Sequence, residues 1–232
     1  MKSQFSNCLV GVLLALGCGL IAFAESDGPD SIDTSMNADG SRFTVTAPDT
    51  MAFLADFSAT IQIDGKPRVL SSLAGMTVSQ TNSYQEATPF GPAEITETSF
   101  CFENEKIDLL FRLGRVQGMP GVMAQAGIRN TGEDPVILLS VTPASLAGQL
   151  IGNPSEWLIT SLNKGGFMAP NQPSAVAIGD IREQLQIHEY GGIYRKNGTG
   201  LFFGPIGTPT AYVNAGFTHR RDGKILLDLQ SD

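Results

Sequence analysis

Apolar and polar residues alternate with a period of two along much of this chain. Arg42-Phe43-Thr44-Val45-Thr46 alternates, and so does Ser58-Ala59-Thr60-Ile61-Gln62-Ile63. That period sends successive side chains to opposite faces of a strand. The second run meets Asp64-Gly65 and continues as Arg68-Val69-Leu70, which predicts a hairpin. Residues 76–80 read as a further short strand. Residues 94–102 and 106–113 read as an antiparallel pair around Asn104, and 122–129 with 136–142 as a second pair around Asn130-Thr131-Gly132-Glu133-Asp134-Pro135. Three apolar runs, 200–204, 211–217 and 225–229, close the chain, with turn signals at Asn197-Gly198 and Asp222-Gly223.

The middle is less regular. Residues 144–164 carry Gly152-Asn153-Pro154, and Ser155 fits the cap of one short helical turn. Residues 165–173 read as loop, and 181–188 as a strand broken at Gly191-Gly192. About a dozen short strands with frequent turns, and no alternation of strands with amphipathic helices, predict an all-β antiparallel sandwich with few helical turns. It forms one domain over residues 42–232.

Composition agrees. Of 232 residues, 42% are hydrophobic and only 16% charged, while Gly and Pro number 26 and 13. Many chain breakers with few charges favour short strands over long helices. The net charge of −8 argues against a nucleic-acid partner, which needs clustered Lys and Arg.

The first 24 residues read as an export signal. Lys2 precedes the apolar run 9–16, and Ala22-Phe23-Ala24 is a small-x-small cleavage site before Glu25. The run is too short for a membrane span. A rival reading is lipoprotein processing at Cys18. Residues 25–41, with Asp27, Asp30, Asp33 and Asp39 among small polar residues, read as a flexible acidic leader. Beyond the signal one cysteine remains, Cys101, so no internal disulfide is expected.

Candidate chemistry is sparse. Two histidines and one mature cysteine show no zinc spacing, so no metal or cofactor is expected. Glu94, Glu97, Glu103, Glu105 and Asp108 are the carboxylates nearest one hairpin, where a solvated strand end competes with a glycosidase pair. His188-Glu189-Tyr190 is the one place where an imidazole, a carboxylate and a phenol adjoin. An imidazole titrates near neutrality and suits proton shuttling. Adjacent strand residues face opposite ways, so His188 and Glu189 converge only through a bulge. For sugar binding, Trp157, Tyr190, Tyr194, Tyr212 and Phe217 are the aromatic candidates. Trp157 stands out, with Asn153 nearby as a hydroxyl partner.

A family resemblance runs through residues 43–229. Met119-Pro120-Gly121, Arg129-Asn130-Thr131-Gly132 and Asp134-Pro135-Val136-Ile137-Leu138 are similar to the N-terminal β-supersandwich of α-galactosidase-type (melibiase-like) glycoside hydrolases. Trp157, the segment Gly198-Thr199-Gly200-Leu201-Phe202-Phe203-Gly204-Pro205-Ile206-Gly207, Tyr212-Val213 and Gly223-Lys224-Ile225-Leu226-Leu227 keep the order. The resemblance implies a galactose-mutarotase-like supersandwich. In that family the sandwich precedes a (β/α)8 barrel bearing two catalytic aspartates, and no carboxylate here matches them. The expectation is therefore an exported, non-catalytic sandwich that binds carbohydrate or docks on a separate barrel chain. The alternatives are an enzyme, mutarotase-like or a glycosidase completed by another subunit, and a structural envelope protein.

Overall fold

The computed structural model describes residues 33–46, 52–74, 78–88, 91–117, 121–161, 174–188, 190–196, 200–204 and 213–231. Residues 1–24, which read as an export signal, lie outside them. Among the described residues the regular structure is strand plus two 3-10 turns, and the all-β reading holds.

The largest sheet contains β1 (Asp33–Met36), β2 (Phe43–Thr46), β3 (Ala52–Ile63), β4 (Lys66–Ser71), β9 (Ile137–Gln149), β12 (Leu185–His188), β15 (Val213–His219) and β16 (Lys224–Ser231). Its order is β1-β2-β3-β9-β16-β15-β12, all antiparallel, with β4 on the edge of β3 beyond β2. A second sheet runs β5 (Val78–Thr88), β6 (Gly91–Phe102), β7 (Ile107–Val116), β8 (Val122–Asn130). A third has the order β11 (Ser174–Ala177), β10 (Trp157–Ser161), β13 (Gly191–Arg195), β14 (Gly200–Phe203).

One buried cluster draws on all three sheets, so the large sheet forms one layer and the two smaller sheets the other. Against the second sheet, Phe57 stacks on Phe111 at 4.0 Å and Phe43 on Phe111 at 5.2 Å. Against the third, Ile187, Ala215, Phe217, Ile225 and Leu227 share the cluster with Trp157, Ile159, Ile193, Leu201 and Phe203. Burial alternates along β3 and β16 as a half-buried sheet requires.

The turn signals hold where they are described. Asp64 and Gly65 both have positive φ, 50° and 72°, between Ile63 and its partner Lys66, as a two-residue hairpin turn needs. β6 and β7 pair from Phe102 with Ile107 onward.

Three expectations need correction. The leader 25–41 is not flexible throughout, because Asp33–Met36 pairs residue for residue with Phe43–Thr46. The Asn37 side chain accepts from the Arg42 amide at 3.0 Å and closes that hairpin. Second, β8 and β9 do not pair with each other: β8 pairs with β7, while β9 lies between β3 and β16. Both strands bury apolar residues in the same core, so they belong to different layers. The connection is tied by Asn130, which accepts from Gly132 at 2.9 Å and donates to the Asp134 carbonyl at 2.7 Å. Third, Gly191-Gly192 does not break a strand. It opens β13, which lies in a different sheet from β12.

Candidate functional site

The hairpin of β13 and β14 carries an exposed aromatic face. In register, Tyr194 opposes Gly200, Gly192 opposes Phe202, and Tyr190 and Gly204 lie one step further on. Ile193, Leu201 and Phe203 point into the core, so the alternate residues face outward. Two glycines in this face, Gly192 and Gly204, leave room for a ring. A Cβ on Gly192 would come within 2.5 Å of the Phe202 ring, and one on Gly204 within 2.7 Å of Tyr190 Cε1. The rings therefore lie flat on the backbone. Tyr194 and Phe202 stack with centroids 5.9 Å apart and planes 16° apart. Tyr190 is 42% exposed and Phe202 37%, which leaves apolar ring surface facing water. Leu158 and Ala177 continue the Tyr194 row, and Thr160 and Ala175 the Gly192 row.

Of the residues singled out from the sequence, Tyr190 and Tyr194 belong to this face. Trp157 does not. Its ring is fully buried, its Nε1 donates to the Ile151 carbonyl at 2.9 Å, and the Arg195 guanidinium lies over it at 5.0 Å. Both ring faces are occupied by protein, so Trp157 is a core residue with no surface for a ligand. Asn153 is exposed and caps the 3-10 turn Pro154–Glu156, accepting from the Ser155 amide at 3.0 Å. That role accounts for its side-chain oxygen. Phe217 is buried, and Tyr212 lies outside the described residues.

His188 ends β12, where its Nδ1 lies 2.6 Å from Oδ1 of Asn214 on β15. Ile187 beside it faces the core, so the imidazole sits on the outer face of the large sheet. Tyr190 lies on the third sheet, over Gly204. The structure therefore pairs His188 with Asn214 rather than gathering it with Tyr190. Glu189 lies outside the described residues.

Three of the five hairpin carboxylates, Glu97, Glu105 and Asp108, are matched by arginines. Glu97 lies 3.3 Å from Arg112 Nε, Glu105 is 3.3 Å from Arg68, and Asp108 is 3.7 Å from Arg129. Arg112 also pairs with Glu86 and donates to the Tyr84 hydroxyl at 2.7 Å. This network ties β5, β6 and β7 across their outer face. The Cys101 thiol is held above its ordinary pKa by desolvation and then by the Asp108 and Glu103 carboxylates, the opposite of what a reactive thiol needs.

A different pair of carboxylates stands on the outer face of the large sheet. Asp56 on β3, Ser145 on β9 and Asp228 on β16 lie in one cross-strand row, and the Ser145 hydroxyl bonds to Asp228. Asp56 is half-buried. Burial raises its carboxyl pKa, Arg42 opposes the rise, and Asp228 adds to it. The sequence signal for this pair is a single acid inside each apolar strand, Leu54-Ala55-Asp56-Phe57 and Leu226-Leu227-Asp228-Leu229. For Phe202 the run Gly-Leu-Phe-Phe-Gly holds no such signal, and the strand register turns its ring outward over Gly192.

Among the described residues no three His, Cys, Asp or Glu side chains converge as a metal site, and no helix is long and apolar enough to cross a membrane. No family model matches the chain, and neither does any curated protein.

Proposed function

We propose that this chain is an exported, non-catalytic carbohydrate-related β-sandwich that holds sugar on the aromatic face of β13 and β14. The exposed rings of Tyr190 and Phe202, each packed against a glycine, and the half-buried Tyr194 stacked on Phe202 carry this reading. Such rings offer broad, rigid apolar surface at low entropic cost, and the C–H faces of pyranose rings match it. Thr160 and the tyrosine hydroxyls supply polar groups within or beside the same face. The resemblance to the sandwich domain of α-galactosidase-type hydrolases supports the same substrate class, and residues 1–24 support export. In the intact protein a barrel-bearing hydrolase chain is the expected protein partner. A panel of immobilised polysaccharides tests the reading. The chain is retained on at least one of them, and Phe202→Ala is not. Failure of the wild-type chain to bind any member sinks it.

The Asp56–Ser145–Asp228 row favours a second reading, an enzyme. Two strand spacings separate the carboxylate-bearing strands, roughly 9–10 Å, near the separation of about 6.5–9.5 Å used in inverting glycoside hydrolysis. Asp56, with its raised pKa, would be the acid and Asp228 the base. Hydrolysis of an aryl glycoside panel that is lost in both Asp56→Asn and Asp228→Asn would establish it. No turnover by the wild-type chain would dismiss it.

A further inference from the structure

We infer that the aromatic face is a strip for an extended, uncharged oligosaccharide of at least three ring units, not a pocket for a single sugar. The inference rests on the carbohydrate reading above and sharpens it. Tyr194, Phe202 and Tyr190 occupy three successive cross-strand rows, alternating between β13 and β14. From Tyr190 to Tyr194 is four residues along an extended chain, about 13 Å at the rise of a strand. That length exceeds one pyranose and spans several.

The Tyr194 and Phe202 rings are also nearly parallel. Their planes lie 16° apart in an offset stack, and Gly192 lies against the Phe202 ring and Gly204 against the Tyr190 ring. A row of aromatic side chains along one sheet face suits a ribbon-like chain, whose successive sugar rings turn apolar faces to the same side. A coiled chain would meet it with one unit only. The side chains beside the strip, Leu158, Thr160, Ala175 and Ala177, carry no charge. Arg195 faces the opposite side, over Trp157. Lys196 follows β13 and lies past the Tyr194 end. Among the described residues, no cation along the strip itself matches a carboxylated or sulfated sugar.

The test is calorimetric titration with glucose and β-1,4-linked gluco-, manno- and xylo-oligosaccharides of two to six units, beside polygalacturonate. Affinity for at least one neutral series should rise through the trimer, reaching roughly tenfold over the monosaccharide as rings are added to the stack. Tyr190→Ala, at the most exposed ring, should remove the gain from the last unit while keeping the gain from the earlier ones. This variant touches only an exposed side chain, and unchanged circular dichroism checks its fold. Equal affinity for monosaccharide and hexamer overturns the strip while leaving carbohydrate binding in place. Preference for polygalacturonate overturns the neutral ligand. Self-association of the chain abolished by Phe202→Ala would make the strip a contact between copies and overturn the inference. Absence of binding by every probe defeats both the inference and the reading beneath it.

Discussion

Two aromatic stacks in this molecule use the same chemistry for opposite ends. Phe43, Phe111 and Phe57 stack between the large sheet and the second sheet with no exposed surface. Tyr194 and Phe202 stack on the outside of the third sheet, with Phe202 more than a third exposed. The first stack removes apolar area from water and so stabilises the fold. The second leaves that area in water, where it adds little to stability and remains free for a ligand. What separates them is the residue opposite. Facing strands supply rings and aliphatic groups in the core, whereas Gly192 lies under the outer Phe202 ring and Gly204 under that of Tyr190.

Phe111→Ala should have the largest effect on stability. Truncating a fully buried phenylalanine costs about 3–5 kcal/mol, read from the denaturant midpoint, with no change in sugar affinity of the folded fraction. Gly204→Ala should come next. Its Cβ meets the Tyr190 ring, so the ring must move, at a cost of about 1–3 kcal/mol. Unlike the core substitution, it should also weaken oligosaccharide binding. Unaltered melting and affinity would show that Tyr190 is not seated on this glycine.

Phe202→Ala should invert the pattern, with a small loss of about 1 kcal/mol and most of the binding gone. A loss as large as that of Phe111→Ala would erase the distinction between the stacks.

The smallest expected effect concerns neither stack. Asp56 keeps its proton more tightly in the folded chain than in the unfolded one. Stability therefore falls as pH rises from the ordinary carboxylate value through the raised one. Asp56→Asn should flatten that fall, making the variant the more stable of the two at neutral pH and the advantage vanish in acid. Paired melting curves across pH 3 to 7 decide it. A variant less stable at neutral pH would mean that Arg42 outweighs burial.

Much of the fold was legible from period and turns. Asp64-Gly65, Asp222-Gly223 and the 94–113 hairpin read correctly because their signals are local. The partnering of β8 and β9 was not legible, since both strands alternate and only the shared core decides which layer each joins. β5 was missed over 81–88 because its residues are polar and its pairing with β6 holds it. Of the aromatics singled out from the sequence, Tyr190 and Tyr194 lie on the outer face because they alternate with core residues such as Ile193. Trp157 misled because its irregular neighbours resemble a surface loop, while an indole N–H bonded to Ile151 and a cation over the ring belong to a buried tryptophan. Phe202 went unnoticed because Phe202-Phe203 reads as core, and only register shows that one of the two faces out.

The most direct test of this contrast is NMR of the folded chain, reading aromatic-ring and backbone-amide resonances together, during titration with a β-1,4-linked hexasaccharide that binds it. The ring resonances of Tyr190, Tyr194 and Phe202 should shift together and saturate, while those of Phe43, Phe57 and Phe111 stay fixed. Shifts centred instead on Asp56, Ser145 and Asp228, with the outer rings unmoved, would contradict the assignment of the sugar face.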